Sequence, residues 1–391
     1  MIVAATPTVP QAVYRYWACD LRTGAKIAQL PLKYSGALPD RIGDISTASF
    51  SCDMSAVWRD GGDFKGTTTP GRTVIVLERE YEGDDTSDIL WAGIVLPRAT
   101  GSDPTAQLNC STIPVYLNRR FAGTHIYTGA TDGQILTDLM NDAAAEGIGF
   151  ILDIDCPTPR DRWRVLEQER RTVFACIKDL ANQDSGPEWT VTTRWADANR
   201  LAIQHVFTAR PRLGWAGEPN VRFDFPGAVR KYNGPDDFTE GHGANHIRGI
   251  SSAGAASDPV RDEQAITQQG WARWEENVSP SGNQTRDGLT SAAKDALKKR
   301  ARGQSTVDLS LDMTLGPQYG RDWVLGDNAL FFVAAPEDPT APRGDPAAEP
   351  PSYAHPDGHQ ETVRVIGVDL DPDNETITPA LWSPYDEDTT A

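Results

Sequence analysis

The chain has 391 residues, a hydrophobic content of 39% and a formal net charge of −18 at pH 7. This length is too great for one ordinary core and suits about two to four domains, while the apolar content excludes a wholly disordered chain. The acidic balance argues against a groove that grips nucleic acid, because such a groove needs clustered lysine and arginine to displace counterions. An acidic surface also simply keeps a protein in solution.

The cysteines and the hydropathy pattern indicate the cellular compartment of the chain. The five cysteines are widely spaced, and none has the CxxC or Cys/His spacing of a zinc site. The first eight residues lack a basic segment followed by an apolar run, and no stretch reaches about 20 apolar residues. These features predict a soluble chain with no membrane segment and no classical secretion signal. Buried, reduced thiols are expected at Cys19, Cys52, Cys110, Cys156 and Cys176.

Residues 1–118 show strand patterns only. The runs RTVIVLER at 72–79 and LWAGIVL at 90–96 are β-branched and short, and Arg22-Thr23-Gly24-Ala25 predicts a hairpin turn between two earlier strands. Because no helical period of useful length appears, this region favours a closed β-barrel or a sandwich.

From residue 119 to 208 the pattern changes to helix followed by strand. Residues 134–146 carry an apolar stripe at helical spacing, formed by Ile135, Leu139, Met140 and Ala143. Gly147 ends this predicted helix, and residues 148–154 follow as a strand.

A second helix in this segment begins at Thr172, whose hydroxyl can cap the first turn, and ends at Ser185-Gly186-Pro187. From Trp189 to Phe207 the period becomes two, with a polar turn at 196–199. One amphipathic helix laid on one hairpin is therefore the predicted unit of a small α+β domain.

The last part of the chain alternates helix, strand and loop. VRFDFPG at 221–227 and NHIRGISSAG at 245–254 read as strands. Thr285 is the predicted cap of a helix with a basic last turn. Residues 335–360 hold seven prolines and five acids against one arginine, which predicts an exposed, extended loop. The inward stripe of the helix is formed by Leu289, Ala293, Ala296 and Leu297.

Three stretches carry a resemblance to a known family. They are VFACIKDLA at 173–181 with EWTV at 188–191, ALKKRA at 296–301 with the strand after it, and WVLGD at 323–327 with the closing hairpin at 364–381. With this order and architecture the chain resembles a bacteriophage tail hub, a minor tail protein of long-tailed siphophages with a baseplate-hub-like fold.

The resemblance implies an α+β, mainly β fold with two tube-type β-barrel domains. The first barrel would be 1–118 and the second 209–255 with 303–391, with an α+β domain inserted at 119–208 and a helical insertion at 256–302. It also implies a homotrimer whose six barrels continue the ring of the tail tube.

The implied role is that of a structural virion protein at the tail tip, made and assembled in the cytoplasm of the host bacterium. Its partners would be the distal tail protein, other tail-tip proteins and the tape measure protein, and DNA would pass through its channel without specific binding. Since the chain ends soon after its last hairpin, a hub without an attached lytic enzyme is expected.

Several groups of residues have both a structural and a functional interpretation. DxDxDxE at 369–375 has the spacing of a calcium loop, but the expected glycine is absent and an acidic hairpin turn is favoured. His242 and His246 have HxxxH spacing without a helix around them. The basic cluster at 298–302 is favoured as a helix C-terminus over a phosphate contact. We therefore predict no metal, cofactor or catalytic residue.

The alternative is a carbohydrate-binding or glycan-hydrolysing β protein. Glycosidases need two carboxyl groups about 5–10 Å apart, which sequence spacing cannot show. The tryptophans are dispersed along the chain, which favours core and interface positions, whereas clustering would favour a sugar platform. The carboxylates considered for this chemistry are Asp153, Asp155, Glu188, Glu240, Glu275 and Glu276.

Overall fold

The structure is a computed structural model that describes residues 12–81, 87–183, 185–234, 236–251, 254–279, 286–301, 304–305, 307–336 and 351–382. The chain divides into two compact units. The first consists of Met1–Lys231 with Ser310–Ala380, and the second of Tyr232–Leu309 with Leu381–Ala391.

The N-terminal part of the first unit forms an antiparallel seven-stranded sheet. Its strand order is β2-β1-β6-β7-β8-β5-β3. Strand β6 is almost wholly buried: its first half, TVIVL, is largely apolar, and the charged Glu78 and Arg79 are buried with it. The predicted turn at Arg22-Thr23-Gly24-Ala25 is confirmed. The strands are β1 Ala12–Asp20, β2 Lys26–Leu30, β3 Leu32–Ser35, β4 Leu38–Arg41, β5 Thr47–Asp53, β6 Thr73–Tyr81, β7 Ser87–Ala99 and β8 Thr105–Thr112.

The prediction of strands only over residues 1–118 is wrong in detail, because the described residues include short helices α1 Met54–Arg59, α2 Phe64–Thr67 and α3 Pro114–Leu117. Each has at most six residues, which is too few for an apolar stripe of helical period to be visible in the sequence. Local chemistry forms them instead: the Asp53 carboxylate accepts a hydrogen bond from the Ser55 amide at the start of α1.

The inserted α+β segment has the predicted helices and hairpin. Thr131 and Gln134 form a capping box at α4, and the Thr172 hydroxyl accepts a hydrogen bond from the Ala175 amide at α5. In the sheet order β11-β15-β14, β15 is parallel to β11 and antiparallel to β14. The elements are β9 His125–Tyr127, β10 Ala130–Thr131, α4 Asp132–Ala144, β11 Phe150–Ile154, β12 Pro159–Arg160, β13 Trp163–Val165, a 3-10 turn Glu167–Glu169, α5 Val173–Ala181, β14 Glu188–Trp195 and β15 Ile203–Arg210.

The second unit is built around a small sheet of order β20-β19-β21 that packs on α7. The predicted inward stripe of α7 is confirmed, and its cap Thr285 lies outside the described residues. Before and within this unit the chain forms β16 Val221–Phe225, β17 Val229–Asn233, β18 Asp236–Asp237, β19 His246–Gly249, β20 Val260–Arg261, α6 Glu263–Thr267, β21 Glu275–Val278, α7 Arg286–Arg300 and β22 Gln304–Ser305.

A second seven-stranded sheet completes the first unit. Its order is β16-β24-β25-β26-β23-β17, and β4 from the N-terminal part adds to it by pairing with β25. Among the described residues the mainly β class is confirmed. Each large sheet there runs from one edge strand to another, so the two closed barrels stay a prediction. The remaining strands are β23 Asp308–Asp312, β24 Asn328–Val333, β25 His359–Asp371 and β26 Thr376–Trp382.

The predicted loop 335–360 lies partly outside the described residues. Its C-terminal part is more ordered than an exposed, extended loop. The buried Ser352 hydroxyl accepts hydrogen bonds from the amides of Ala354 and His355, and β25 already begins at His359.

Replacing residues 337–350 with a short Gly-Ser turn is expected to change the free energy of unfolding by less than about 1 kcal/mol, because their composition offers little apolar area to bury. Thermal unfolding of the full chain and of the shortened chain measures this. A fall of many degrees in Tm would show that these residues pack on the core.

Candidate functional site

The carboxylates considered as catalytic do not form a single site, although three of them line one groove. Asp153 accepts from Arg210 on the neighbouring strand at 2.6 Å, whereas Glu188 pairs with Arg364. Glu240, Glu275 and Glu276 line a groove of the second unit. Asp155 lies beside a different depression of the first unit. Within the described ranges, no group of three or more His, Cys, Asp or Glu side chains could hold a metal ion.

The acidic turn at 369–375 uses its carboxylates in protein contacts. Arg41 Nη2 donates to both carboxylate oxygens of Asp369, at 2.8 and 2.9 Å. Asp371 accepts from the Asn374 amide at 2.9 Å and from its side-chain Nδ2 at 2.8 Å, and it also accepts from the hydroxyl of Tyr34. These contacts tie the turn between β25 and β26 to β4 and to the neighbourhood of β3.

The two histidines of the HxxxH pattern have different partners. His242 contacts Asp237 through Nδ1, and His246 lies with its Nδ1 3.3 Å from Glu275 Oε1. The five cysteines are buried and free, as expected, and burial raises the pKa of the Cys176 thiol to about 11. None of the helices in the described part of the chain has the length and apolar composition needed to span a bilayer.

Two of the three stretches that carry the family resemblance meet at one part-buried ion pair, which we call the Glu188–Arg364 joint. Glu188 opens β14 in EWTV, Arg364 lies in β25, and Gly326 belongs to WVLGD. Arg364 Nη1 donates to Glu188 Oε1 at 2.7 Å, and Arg364 Nε donates to the Gly326 carbonyl at 3.2 Å. The same guanidinium reaches the Leu213 carbonyl at 3.2 Å. The joint therefore connects the inserted hairpin to the second seven-stranded sheet.

The backbone that follows the hairpin, at residues 213–215, packs closely against this joint. The Leu213 amide donates to Glu188 Oε2 at 2.7 Å, and the Trp215 amide donates to Asp327 Oδ1 at 2.6 Å. Between them Gly214 has a φ of +72° and approaches Gly326, whose φ is +98°, so closely that a Cβ on either residue would overlap the backbone of the other strand. Two glycines therefore permit the close crossing.

The predicted unit of helix on hairpin has a tryptophan at its centre. Trp189 is buried between Phe174 of α5 and Phe207 of β15, with both ring centroids 5.8 Å away. Its carbonyl accepts from the Gly43 amide at 2.9 Å. The three rings are core, as the dispersion of tryptophans predicted.

In the second unit, by contrast, two tryptophans do lie together. Trp271 and Trp274 cluster with Phe238, with ring centroids 5.3 and 5.5 Å from it. The sequence shows only that the two tryptophans are near each other; the third ring comes from more than 30 residues earlier. The cluster borders a groove of about 1030 Å³.

One buried histidine gives the first unit a pH dependence. His205 lies in β15, its Nδ1 is 2.9 Å from the Thr193 hydroxyl, and its Nε2 has no hydrogen-bond partner among the described residues. Burial lowers the pKa of His205 from its usual value to about 4. The unfolded chain therefore takes up this proton first as the pH falls.

The His205 contribution to stability should be complete above about pH 6.5 and lost progressively as the pH falls through 4. Between pH 7.5 and pH 5 we expect the free energy of unfolding to fall by about 2 kcal/mol from this group. Urea unfolding at both pH values measures the change, and His205→Gln should remove it. If His205→Gln loses as much free energy of unfolding between pH 7.5 and pH 5 as the parent chain does, the assignment to His205 is wrong. His242→Gln, at a half-exposed histidine, is the control.

The comparisons with known proteins define the class of the fold. The sequence matches no protein-family model and no curated protein. Solved structures do match, and they show that the chain has the fold of phage tail proteins. The 43 kDa tail protein of prophage MuSo2 from Shewanella oneidensis is 13% identical, with a TM-score of 0.56 over 96% of this chain and 98% of its own.

Two further structures have the same fold. The tail protein from Neisseria meningitidis MC58 is 14% identical, with a TM-score of 0.50 over 95% of this chain and 96% of its own. A chain of the Francisella PdpA–VgrG complex is 7% identical, with a TM-score of 0.53 over 98% of this chain and 60% of its own. The resemblance to tail proteins is thereby confirmed at the level of the fold.

Proposed function

We propose that the chain is a structural virion protein, the hub at the tip of a phage tail, which joins the tail tube to tip and receptor-binding proteins. The observation that carries this proposal is the first unit. It combines two seven-stranded sheets with an inserted helix-and-hairpin segment. The fold of the chain is similar to that of the MuSo2 prophage tail protein and of the Neisseria meningitidis tail protein over nearly their whole length.

The proposed domains keep the boundaries drawn from the sequence. Residues 1–118 form one tube-type barrel and 209–255 with 303–391 the other, with 119–208 and 256–302 as insertions. The pairing of β4 with β25 supports a rigid connection, since a strand from the N-terminal part is hydrogen-bonded into the sheet of the C-terminal part. A rigid pair of sheets suits a ring that must resist the force of ejection.

We further propose a homotrimer that surrounds a DNA channel. Two barrels in each of three chains present six similar surfaces, which is the economical way to match a six-fold tube. The net charge of −18 supports passage of DNA without binding, because a duplex with one charge per ~1.7 Å would stall against a basic wall. The distal tail protein, tip proteins and tape measure protein are the proposed neighbours, and assembly takes place in the host cytoplasm before the protein enters the virion.

Labelling of the particle tests the location. A terminal epitope tag on the full chain, detected with gold-conjugated antibody in electron micrographs, should mark the end of the tail far from the head. Gold on the head, or a tagged protein that is absent from particles that contain tails, contradicts the proposal. Turnover of a polysaccharide by the monomeric chain would instead favour the carbohydrate-active alternative.

A further inference from the structure

The two large sheets of the first unit share one strand order. With β1 and the added strand β4 left out, the order of the first sheet is β2-β6-β7-β8-β5-β3, and that of the second sheet is β16-β24-β25-β26-β23-β17. In each sheet two consecutive strands form opposite edges, and the last three strands lie side by side. Since β1 is antiparallel to both β2 and β6, β2 runs parallel to β6, as β16 runs parallel to β24. Six strands of one sheet therefore have counterparts in the other.

A shared hydrogen bond aligns β7 with β25. Both strands have 13 residues. The Gly71 amide donates to the Val95 carbonyl at 2.7 Å, and the Gly326 amide donates to the Val365 carbonyl at 2.7 Å. Each glycine lies two residues before the strand that pairs with β7 or with β25. Val95 therefore corresponds to Val365, and the residues that follow them correspond by count.

The chain also leaves the corresponding edge strands in the same way. Tyr34-Ser35-Gly36 spans the end of β3, and Tyr232-Asn233-Gly234 spans the end of β17. In both cases the next strand begins two residues after the glycine, and this strand is β4 after β3 and β18 after β17. By this count β18 is the counterpart of β4, and Asp237 corresponds to Pro39.

Strand β4 shows what this segment does within one chain. It pairs with Gly367–Leu370 of β25, beyond Arg364, where the pairing of β25 with β24 ends. Because β26 covers the other side of β25, β4 lies on the side of β24. Leu38 of β4 is fully buried, and Arg41 Nη2 donates to both carboxylate oxygens of Asp369. The first half of the chain thus adds one strand to the sheet of the second half.

The corresponding stretch of β7, Leu96–Ala99, has an open side. Strand β8 covers one side of β7, and β6 pairs with the other side only as far as Ile94. In the part of the chain that the structure describes, no strand pairs with Leu96–Ala99 on the β6 side, and β18 pairs with β22 alone. Both strands therefore present an edge there, and such edges are templates for pairing with another chain.

Pro97 does not block this pairing, although it has no N–H group. By the count from Val95 it corresponds to Gly367, and the hydrogen bonds to β4 come from the neighbours of Gly367. The Ile42 amide donates to the Ile366 carbonyl, and hydrogen-bonded positions alternate along an antiparallel ladder. Pro97 also lies in the bulge of the ladder between β7 and β8, where a strand tolerates proline.

We propose that a second copy of this chain docks on the open side of β7, and that its β18 adds to Leu96–Ala99 as β4 adds to β25 within one chain. Each chain then gives one strand and receives one, so the contact is heterologous and closes when the rotation between successive sheets matches the ring. The closure at three copies rests on the proposed function, whereas the surface itself rests on the shared strand order.

The test places one cysteine on each side of the proposed contact, Ala99→Cys in β7 and Asp237→Cys in β18. Their counterparts Asp369 and Pro39 lie opposite each other in the ladder of β4 and β25. They form a non-hydrogen-bonded pair, whose Cα atoms are about 4.5 Å apart, and a disulfide can span this distance. Tails that contain the full-length double variant are oxidised and separated on a denaturing gel without reductant.

We expect covalent dimers and trimers, with at least ten-fold more crosslinked chain than in the controls. The controls are the two single variants and Ile151→Cys combined with Asp237→Cys, because Ile151 is 39% exposed in β11, another edge strand of the first unit. If Asp237→Cys lowers the Tm, Pro97→Cys combined with Thr239→Cys is the second pair, since both residues are exposed and correspond by count to another facing pair of the same ladder.

Absence of crosslinks from both pairs in tails that contain the chain overturns the proposed surface and leaves the tail location untouched. An equal yield from the Ile151→Cys control overturns it as well. If the chain is absent from tails, the proposed function is wrong, and oxidation of the purified chain at increasing concentration decides the surface alone: dimers and trimers support it, and monomer throughout overturns it. Crosslinked species larger than a trimer support the surface and contradict the ring of three.

Discussion

Glu188→Gln is expected to lower the free energy of unfolding by about 3 kcal/mol, because removal of one partner of a buried pair leaves an uncompensated charge, at a cost of about 3–5 kcal/mol. The lower end applies since the Glu188 side chain keeps 28% exposure while that of Arg364 keeps 8%. Arg364 would still donate to the carbonyls of Gly326 and Leu213, but without a carboxylate to balance its charge. Urea unfolding at neutral pH measures the loss.

The matched control is Asp153→Asn, which removes an arginine–carboxylate pair from the sheet of the same inserted segment. Asp153 is 52% exposed, so its pair with Arg210 should contribute less than about 1 kcal/mol. Replacing both members of the joint by methionine should recover part of the stability lost in Glu188→Gln. Equal effects of Glu188→Gln and Asp153→Asn would contradict the role of the joint.

Gly214→Ala is expected to be among the most destabilising glycine-to-alanine substitutions in the first unit. The added Cβ would overlap the backbone at Gly326 and Asp327, which cannot swing aside as a flexible side chain could. Strain of this kind, added to the left-handed φ of +72°, should cost more than about 4 kcal/mol and leave little folded protein. The yield of soluble chain and its Tm measure this.

Gly71→Ala separates the two causes. Gly71 has the same φ of +72° but no atom within 4 Å of an added Cβ. It should therefore pay only the conformational cost of about 1–2 kcal/mol. If Gly214→Ala and Gly71→Ala are equally stable, the close crossing of the two backbones is not what constrains residue 214.

Local features of the fold follow from the sequence because they depend on neighbours along the chain. The cap at Thr172, the stripe of α5 and the alternation of β14 and β15 lie within 40 residues and were predictable from period and turn chemistry. The short helix α1 was not predictable, since one turn has no period and its cap at Asp53 resembles any turn.

Long-range features depend on contacts that no local pattern records. Glu188 and Arg364 are 176 positions apart, and β4 pairs with a strand more than 300 residues later. A signal for the joint does exist in retrospect: Arg364 interrupts the run VRVIGV at 363–368, which is otherwise free of polar side chains, and a buried arginine requires a carboxylate. The approach of Phe238 to Trp274 has no comparable signal, which is why the groove could not be predicted.

We propose that three chains form a ring around a DNA channel at the tail tip. Its most direct test is the symmetry and the inner-wall charge of this protein in a reconstruction of the assembled particle. We predict three copies per ring, arranged so that six barrels surround a lumen whose wall is neutral or negative. Six copies per ring, or a channel lined by clustered lysine and arginine, would contradict it.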